Sequence, residues 1–225
     1  MRWSIPRLIL AAFGFDILLG AAFVVDFALG NPIDRISSLL DLDGEANLPA
    51  WWASVQWFVV AAFLWVFAVR SIRPGGVRSW FLFLLPIAFT LFSVDEVAKL
   101  HESVGSVLDR LVLSVPRIDT ELSKTGVWFL LFGVPFAALF ILLIAGLRPY
   151  LQQSPAAFTR VAVGVAVFFV GAIGIEALSN VVVQGSALDM LQVLVEETFE
   201  FIGSTLVLWG SYELARSVDL FRDPD

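Results

Sequence analysis

The chain has no cysteine and a single histidine in 225 residues. The first absence excludes disulfides, thiolate metal sites, iron–sulfur clusters and a cysteine nucleophile. The second excludes any site that needs two imidazoles from one chain. Charge is also sparse: charged residues make up 16%, with 21 acids against 14 bases and a net charge of −7. That balance argues against nucleic acid as a partner.

Apolar residues dominate instead. They form 59% of the chain, against roughly 45–50% in soluble domains, and the mean hydropathy is +0.86. Several apolar runs reach the ~18 residues that mark a transmembrane helix. The pattern predicts an all-α polytopic membrane bundle, residues 1–225 as one domain, with spans over 5–29, 49–69, 78–112, 126–147, 158–183 and 188–215. Turn residues separate them, as in Gly30-Asn-Pro32 and Arg73-Pro-Gly-Gly76. Arg148-Pro149 and Gln184-Gly-Ser186 mark two further breaks, and Pro86 and Pro135 are expected to kink spans three and four. The basic start at Met1–Arg7 leads into a run too long for a cleaved signal core, so it reads as the first span. Nine of the fourteen Lys and Arg fall in segments that are inside if the N-terminus is inside. The positive-inside rule then gives N-in, C-in. The acidic loop containing Asp41-Leu-Asp-Gly-Glu45 reads as a solvated loop with a short interfacial helix at 33–42.

Acids recur near one end of these spans. Asp95, Glu96, Lys99, His101 and Glu102 crowd the end of span three, Glu176 lies in span five, and Glu196, Glu197 and Glu200 interrupt span six. At 1.5 Å per residue, and with spans alternating in direction, all three groups fall in the same outer half. Acids within spans are costly and usually face a bundle interior. As one unbroken helix of about 50 Å, span three would put Asp95, Lys99 and Glu102 on one face and turn Glu96 elsewhere. Lys99 is then a candidate partner for Asp95. Gly164, Gly171 and Gly174 offer a small surface for close packing. Asp16, in mid-span, has no obvious partner, and the phenylalanines read as packing and lipid-facing residues.

Phe92-Ser-Val-Asp-Glu-Val-Ala-Lys-Leu-His-Glu102 resembles a Ser-x-Asp-Glu-x4-His-Glu signature of uncharacterised bacterial multi-pass membrane proteins. Glu197-Thr-Phe-Glu-Phe-Ile-Gly203 resembles the acidic pattern of their last span. The resemblance implies a bacterial inner-membrane protein and brings no activity with it.

The acids suggest chemistry of their own. Asp95, His101, Glu102, Glu176, Glu196 and Glu200 hold enough donors for one divalent cation: calcium through oxygen alone, zinc, iron or manganese with the histidine as well. A paired Glu-x-x-His pattern for a di-iron site is missing. A bound metal would activate water against a lipid or other amphiphile, with Glu196, Glu197 or Glu200 as general base. The alternatives are a proton- or cation-coupled transporter and a non-catalytic membrane subunit. The lipid bilayer is a partner on every reading.

Overall fold

The computed structural model describes residues 5–44, 46–71, 79–113, 123–127, 129–151 and 154–218. The side chains of 79, 80, 102, 129, 147, 150 and 151 lie outside that description, as does the turn around Arg73. The described residues form helices and loops without a strand: α1 (Arg7–Ala28), α2 (Asp34–Leu40), α3 (Leu48–Ser71), α4 (Leu84–Ala98), α5 (Leu100–Val112), α6 (Val134–Leu151), α7 (Pro155–Phe169) and α8 (Ala187–Ser217). Four stretches are long and apolar enough to cross a membrane: Arg7–Ala28, Leu48–Ser71, Phe81–Ala98 and Pro155–Val181. The protein is a membrane protein of the helical-bundle class.

Proline chemistry explains the irregular helix starts. A proline cannot donate to the carbonyl four residues back. Pro86 and Pro135 therefore fall in the first turns of α4 and α6, preceded by a 3-10 turn at Ser79–Phe83 and a π turn at Phe129–Gly133. Pro149, expected to end span four, instead lies inside the last turns of α6.

The expected single helix over 78–112 is two helices. Lys99 adopts a left-handed conformation, φ 53° and ψ 42°, which ends α4 and starts α5. The Asp95 carboxylate clamps the corner. Its Oδ1 accepts the His101 backbone N–H at 2.8 Å and its Oδ2 meets His101 Nδ1 at 2.8 Å. Asp95 thus pairs with His101 rather than with Lys99. The facial alignment of Asp95 with Glu102, which assumed an unbroken helix, does not survive the break.

α8 is the central helix and packs on α7, α3 and α1; α4 packs on α3. Lipid tails are as apolar as the core, so close packing and hydrogen bonds, rather than burial from water, hold such helices together. Glycines let α7 and α8 approach. A Cβ added at Gly164 would lie 2.7 Å from the Gly203 carbonyl, and one at Gly203 would lie 2.6 Å from the Phe168 nitrogen. Gly171 is similarly tight, 2.9 Å from the Glu196 carbonyl, whereas Gly174 meets nothing within 4 Å. The core centres on Trp57, stacked on Phe89 at 5.2 Å and edge-on to Phe168 at 5.0 Å. Ser54 and Ser93 stitch α3 to α4 by donating to each other's carbonyls at 2.8 and 2.9 Å.

Candidate functional site

One end of the bundle encloses a cavity of about 440 Å³. Asp95 and Glu96 reach it from the end of α4, His101 from α5, and Glu196, Glu197 and Glu200 from α8. α7 runs on past Phe169 as a π turn, Val170–Ile175, and then a 3-10 turn that begins at Glu176. Such departures from α geometry often mark functional sites; here Glu176 lines the cavity. Thus α4, α7 and α8 bring their acids together although α4 does not pack closely on α8. The cavity occupies the space between them.

The acids are not equivalent. Glu196 is buried and accepts a hydrogen bond from Gln192 Nε2. Glu197 and Glu200 are half-buried along the same wall. The side chain of Glu102 lies outside the described residues. Glu96, expected to point elsewhere than Asp95, lines the same cavity.

Asp43 was not among the expected site residues. The loop between α2 and α3 folds over the cavity because Asn47 Nδ2 donates to the carbonyls of Asp41 and Gly44, at 2.6 and 2.7 Å, while its Oδ1 caps α3 at Ala50. Asp43 thereby reaches the rim, where burial and repulsion from Asp41, Glu176 and Asp189 push its carboxyl above the ordinary carboxylate range, against the pull of Lys124. The dense acids of the loop were the signal in the sequence; the fold turns one of them inward.

A strap of residues 123–127 crosses the mouth. Asn180 Oδ1 accepts the backbone N–H groups of Lys124 and Thr125 at 3.1 and 3.2 Å, and Lys124 Nζ meets Asp189 at 2.6 Å. Asp109 Oδ1 accepts the Val127 N–H at 2.9 Å. Lys124 and His101 are the basic residues that line the cavity, against seven acids. Each basic group is already engaged by an acid.

The lining also includes aromatic rings: Trp57, Phe92, Phe132, Phe136, Phe168 and Phe169. Phe92 lies one turn below Asp95 and Glu96, and Phe169 two turns below Glu176. The rings lie within contact of one another: Phe92 is 5.6 Å from both Phe136 and Phe168. These phenylalanines form a wall of the cavity as well as packing the core.

Asp16 does have partners. Its Oδ1 accepts from Trp52 Nε1 at 2.7 Å and Gln56 Nε2 at 3.0 Å, and its Oδ2 from Thr205 Oγ1 at 2.7 Å. Gln56 Oε1 in turn accepts from Ser204 Oγ at 2.7 Å, and Ser204 lines the acidic cavity. A polar thread therefore runs from the cavity to mid-bundle. Asp16 also borders an apolar groove of about 610 Å³ between α1 and α8.

Among the described residues the geometry does not make a metal centre. Metal ligands converge on one point at about 2.0–2.6 Å. Among the described residues, no group of three or more His, Asp or Glu side chains could hold a metal ion. The carboxyls are spread around the cavity, and two are tied to neighbours, Asp95 to His101 and Glu196 to Gln192. The expected zinc, iron, manganese or calcium site, and the hydrolysis built on it, are unsupported.

A family described as a domain of unknown function, DUF8692, matches residues 10–215. No curated protein and no solved structure matches the chain.

Proposed function

We propose, for a chain that belongs to the DUF8692 family, that the cavity binds an amphiphilic organic cation, such as an alkyl- or arylammonium. The observation that carries this reading is the mixed lining: acidic side chains and aromatic rings on one cavity. Clustered carboxylates in a low-dielectric site repel one another and favour a positive guest. Aromatic faces attract ammonium groups through their quadrupoles and accept the apolar remainder of the ligand. The volume falls within the roughly 300–1,000 Å³ of small-molecule sites. Glu196 and Glu200 would meet the charge, while Phe92, Phe136 and Phe169 would meet the apolar body.

The test uses benzyltrimethylammonium and its uncharged isostere neopentylbenzene on the detergent-solubilised protein. At a hundredfold over its dissociation constant the cation should stabilise the fold by about 2.7 kcal/mol, read as a higher melting temperature. Glu196→Gln and Glu200→Gln should each weaken binding about tenfold or more, as expected for a desolvated charge partner. Asp34→Asn, at an exposed position on α2, should leave binding unchanged. Equal stabilisation by the neutral isostere, or unaltered binding by both Gln variants, would sink this reading.

A second reading, proton- or cation-coupled transport, draws on the polar thread from Ser204 through Gln56 to Asp16. It requires the same acids to exchange protons for the guest. Proton uptake or release on binding, measured in weakly buffered solution, separates transport coupling from simple binding: no proton change argues for binding alone.

We further propose six spans in the inner membrane, with both termini inside and the cavity outside, on the distribution of Lys and Arg. The cysteine-free chain allows a direct check. Ser38→Cys should react with an impermeant thiol reagent added to intact cells, and Gly76→Cys should react only after lysis. The reverse pattern would invert the orientation.

A further inference from the structure

The helix after the Lys99 corner carries three differently composed sides. Leu100, Val104, Val107 and Leu111, spaced 4, 3 and 4 residues apart, form one narrow stripe, and all four are exposed, Leu111 at 76%. About 120° around the helix, His101, Gly105 and Asp109 face the bundle; Gly105 and Asp109 are buried. On the third side Ser103, Ser106 and Arg110 are exposed polar residues. A helix projecting freely into water needs no such apolar stripe. One packed only on the bundle would bury it.

The stripe continues a surface that already faces lipid. Ile87, Leu91, Val94 and Val97 are exposed along α4, Val97 at 62%, and α5 begins three residues after Val97. The stretch Phe81–Ala98 has by then run about 27 Å, close to the ~30 Å hydrocarbon thickness. At 13 residues α5 is about 20 Å long, too short to cross the bilayer itself.

We propose that α5 is a membrane-surface helix. It lies along the bilayer boundary with the Leu100–Val104–Val107–Leu111 stripe in the acyl region, Ser103 and Arg110 among the headgroups, and His101 and Gly105 forming the cavity wall. The occupant of the stripe is lipid: the stripe is continuous with the lipid-facing side of α4, and hydroxyls and an arginine border it as they do in helices that lie in the interface. The Asp95–His101 clamp sets the corner that lays the helix down. α5 then separates the cavity from the bilayer by the thickness of one helix. The proposal rests on the membrane placement of α4 and is independent of what the cavity binds.

Single cysteines at Val107 and Leu111 on the stripe, Ser103 on the polar side and Leu91 on α4 can each carry a nitroxide in phosphatidylcholine vesicles. Collision with oxygen, which concentrates among acyl chains, is compared with collision with a water-soluble nickel chelate. The Val107 and Leu111 labels should favour oxygen severalfold, as the Leu91 label does, while the Ser103 label should favour nickel. Nickel-favoured collisions at both stripe positions would place the stripe in water and overturn the proposal. Loss of both kinds of collision there, severalfold below Leu91 and Ser103, would mean that protein covers the stripe and would also overturn it. Two stripe positions guard against one label disturbing the fold.

Discussion

Replacing Gly203 by leucine is expected to separate α7 from α8 and to abolish the thermally stable fold. The residue sits where two backbones touch. A Cβ at Gly203 would lie 2.6 Å from the Phe168 nitrogen, 2.8 Å from the Gly164 carbonyl and 2.8 Å from the Phe168 Cα. All three are main-chain atoms of a helix, so no side-chain rotation relieves the contact. Overpacking a core that can adjust costs about 1–3 kcal/mol. Here the helices must move apart, and about 3 kcal/mol or more is expected, a large part of a typical folding stability of about 5–15 kcal/mol. The close approach also brings Glu196 and Glu200 of α8 beside Gly171, in the π turn after α7, so the cavity should be lost with the interface. Gly174→Ala is the matched control, since nothing lies within 4 Å of its added Cβ. Melting in detergent and monodispersity by gel filtration read both variants. A Gly203→Leu protein that melts with the unaltered chain would show that α7 and α8 do not approach in this way.

The second large effect is expected at Asp16. Asp16→Ala removes the acceptor for three donors at once, from Trp52, Gln56 and Thr205. Each buried donor left unpaired costs about 1–3 kcal/mol. The sum is reduced because Gln56 Nε2 also donates to Thr205 Oγ1, at 2.8 Å, and because such losses within one network are not additive. A net cost of about 2–4 kcal/mol is expected. Asp16→Asn keeps one oxygen but sets an amide N–H₂ against a donor, so it should fall between alanine and the unaltered chain. Asp34→Asn on exposed α2 should change melting little. If Asp16→Ala melts like Asp34→Asn, the thread does not hold α1 to α3 and α8. If it melts lower yet binds benzyltrimethylammonium equally well, Asp16 is a structural anchor and the transport reading loses its path.

The helices and their apolar character were legible in the chain because they depend on local quantities. Hydropathy over a turn or two marks a span, and a rise of 1.5 Å per residue places Glu176 and Glu196 at a common depth. That depth was enough to expect the acids around one space, and among the described residues the cavity holds seven, from α4, the turn after α7, α8 and the α2–α3 loop. Tertiary structure decided what each acid touches, since that depends on distances across the fold. The partners of Asp16 lie 36, 40 and 189 residues away, and no helical periodicity connects them. Asp43 reaches the rim only because Asn47 folds its loop. Phe92 and Phe169 belong to the cavity wall through contacts between helices, their rings lying 6.3 Å apart across α4 and α7. Even the short-range pair Asp95–His101 depended on one backbone event: the left-handed turn at Lys99. A non-glycine residue enters that conformation at a cost of the order of 1 kcal/mol, which hydropathy does not register and the Asp95 clamp offsets.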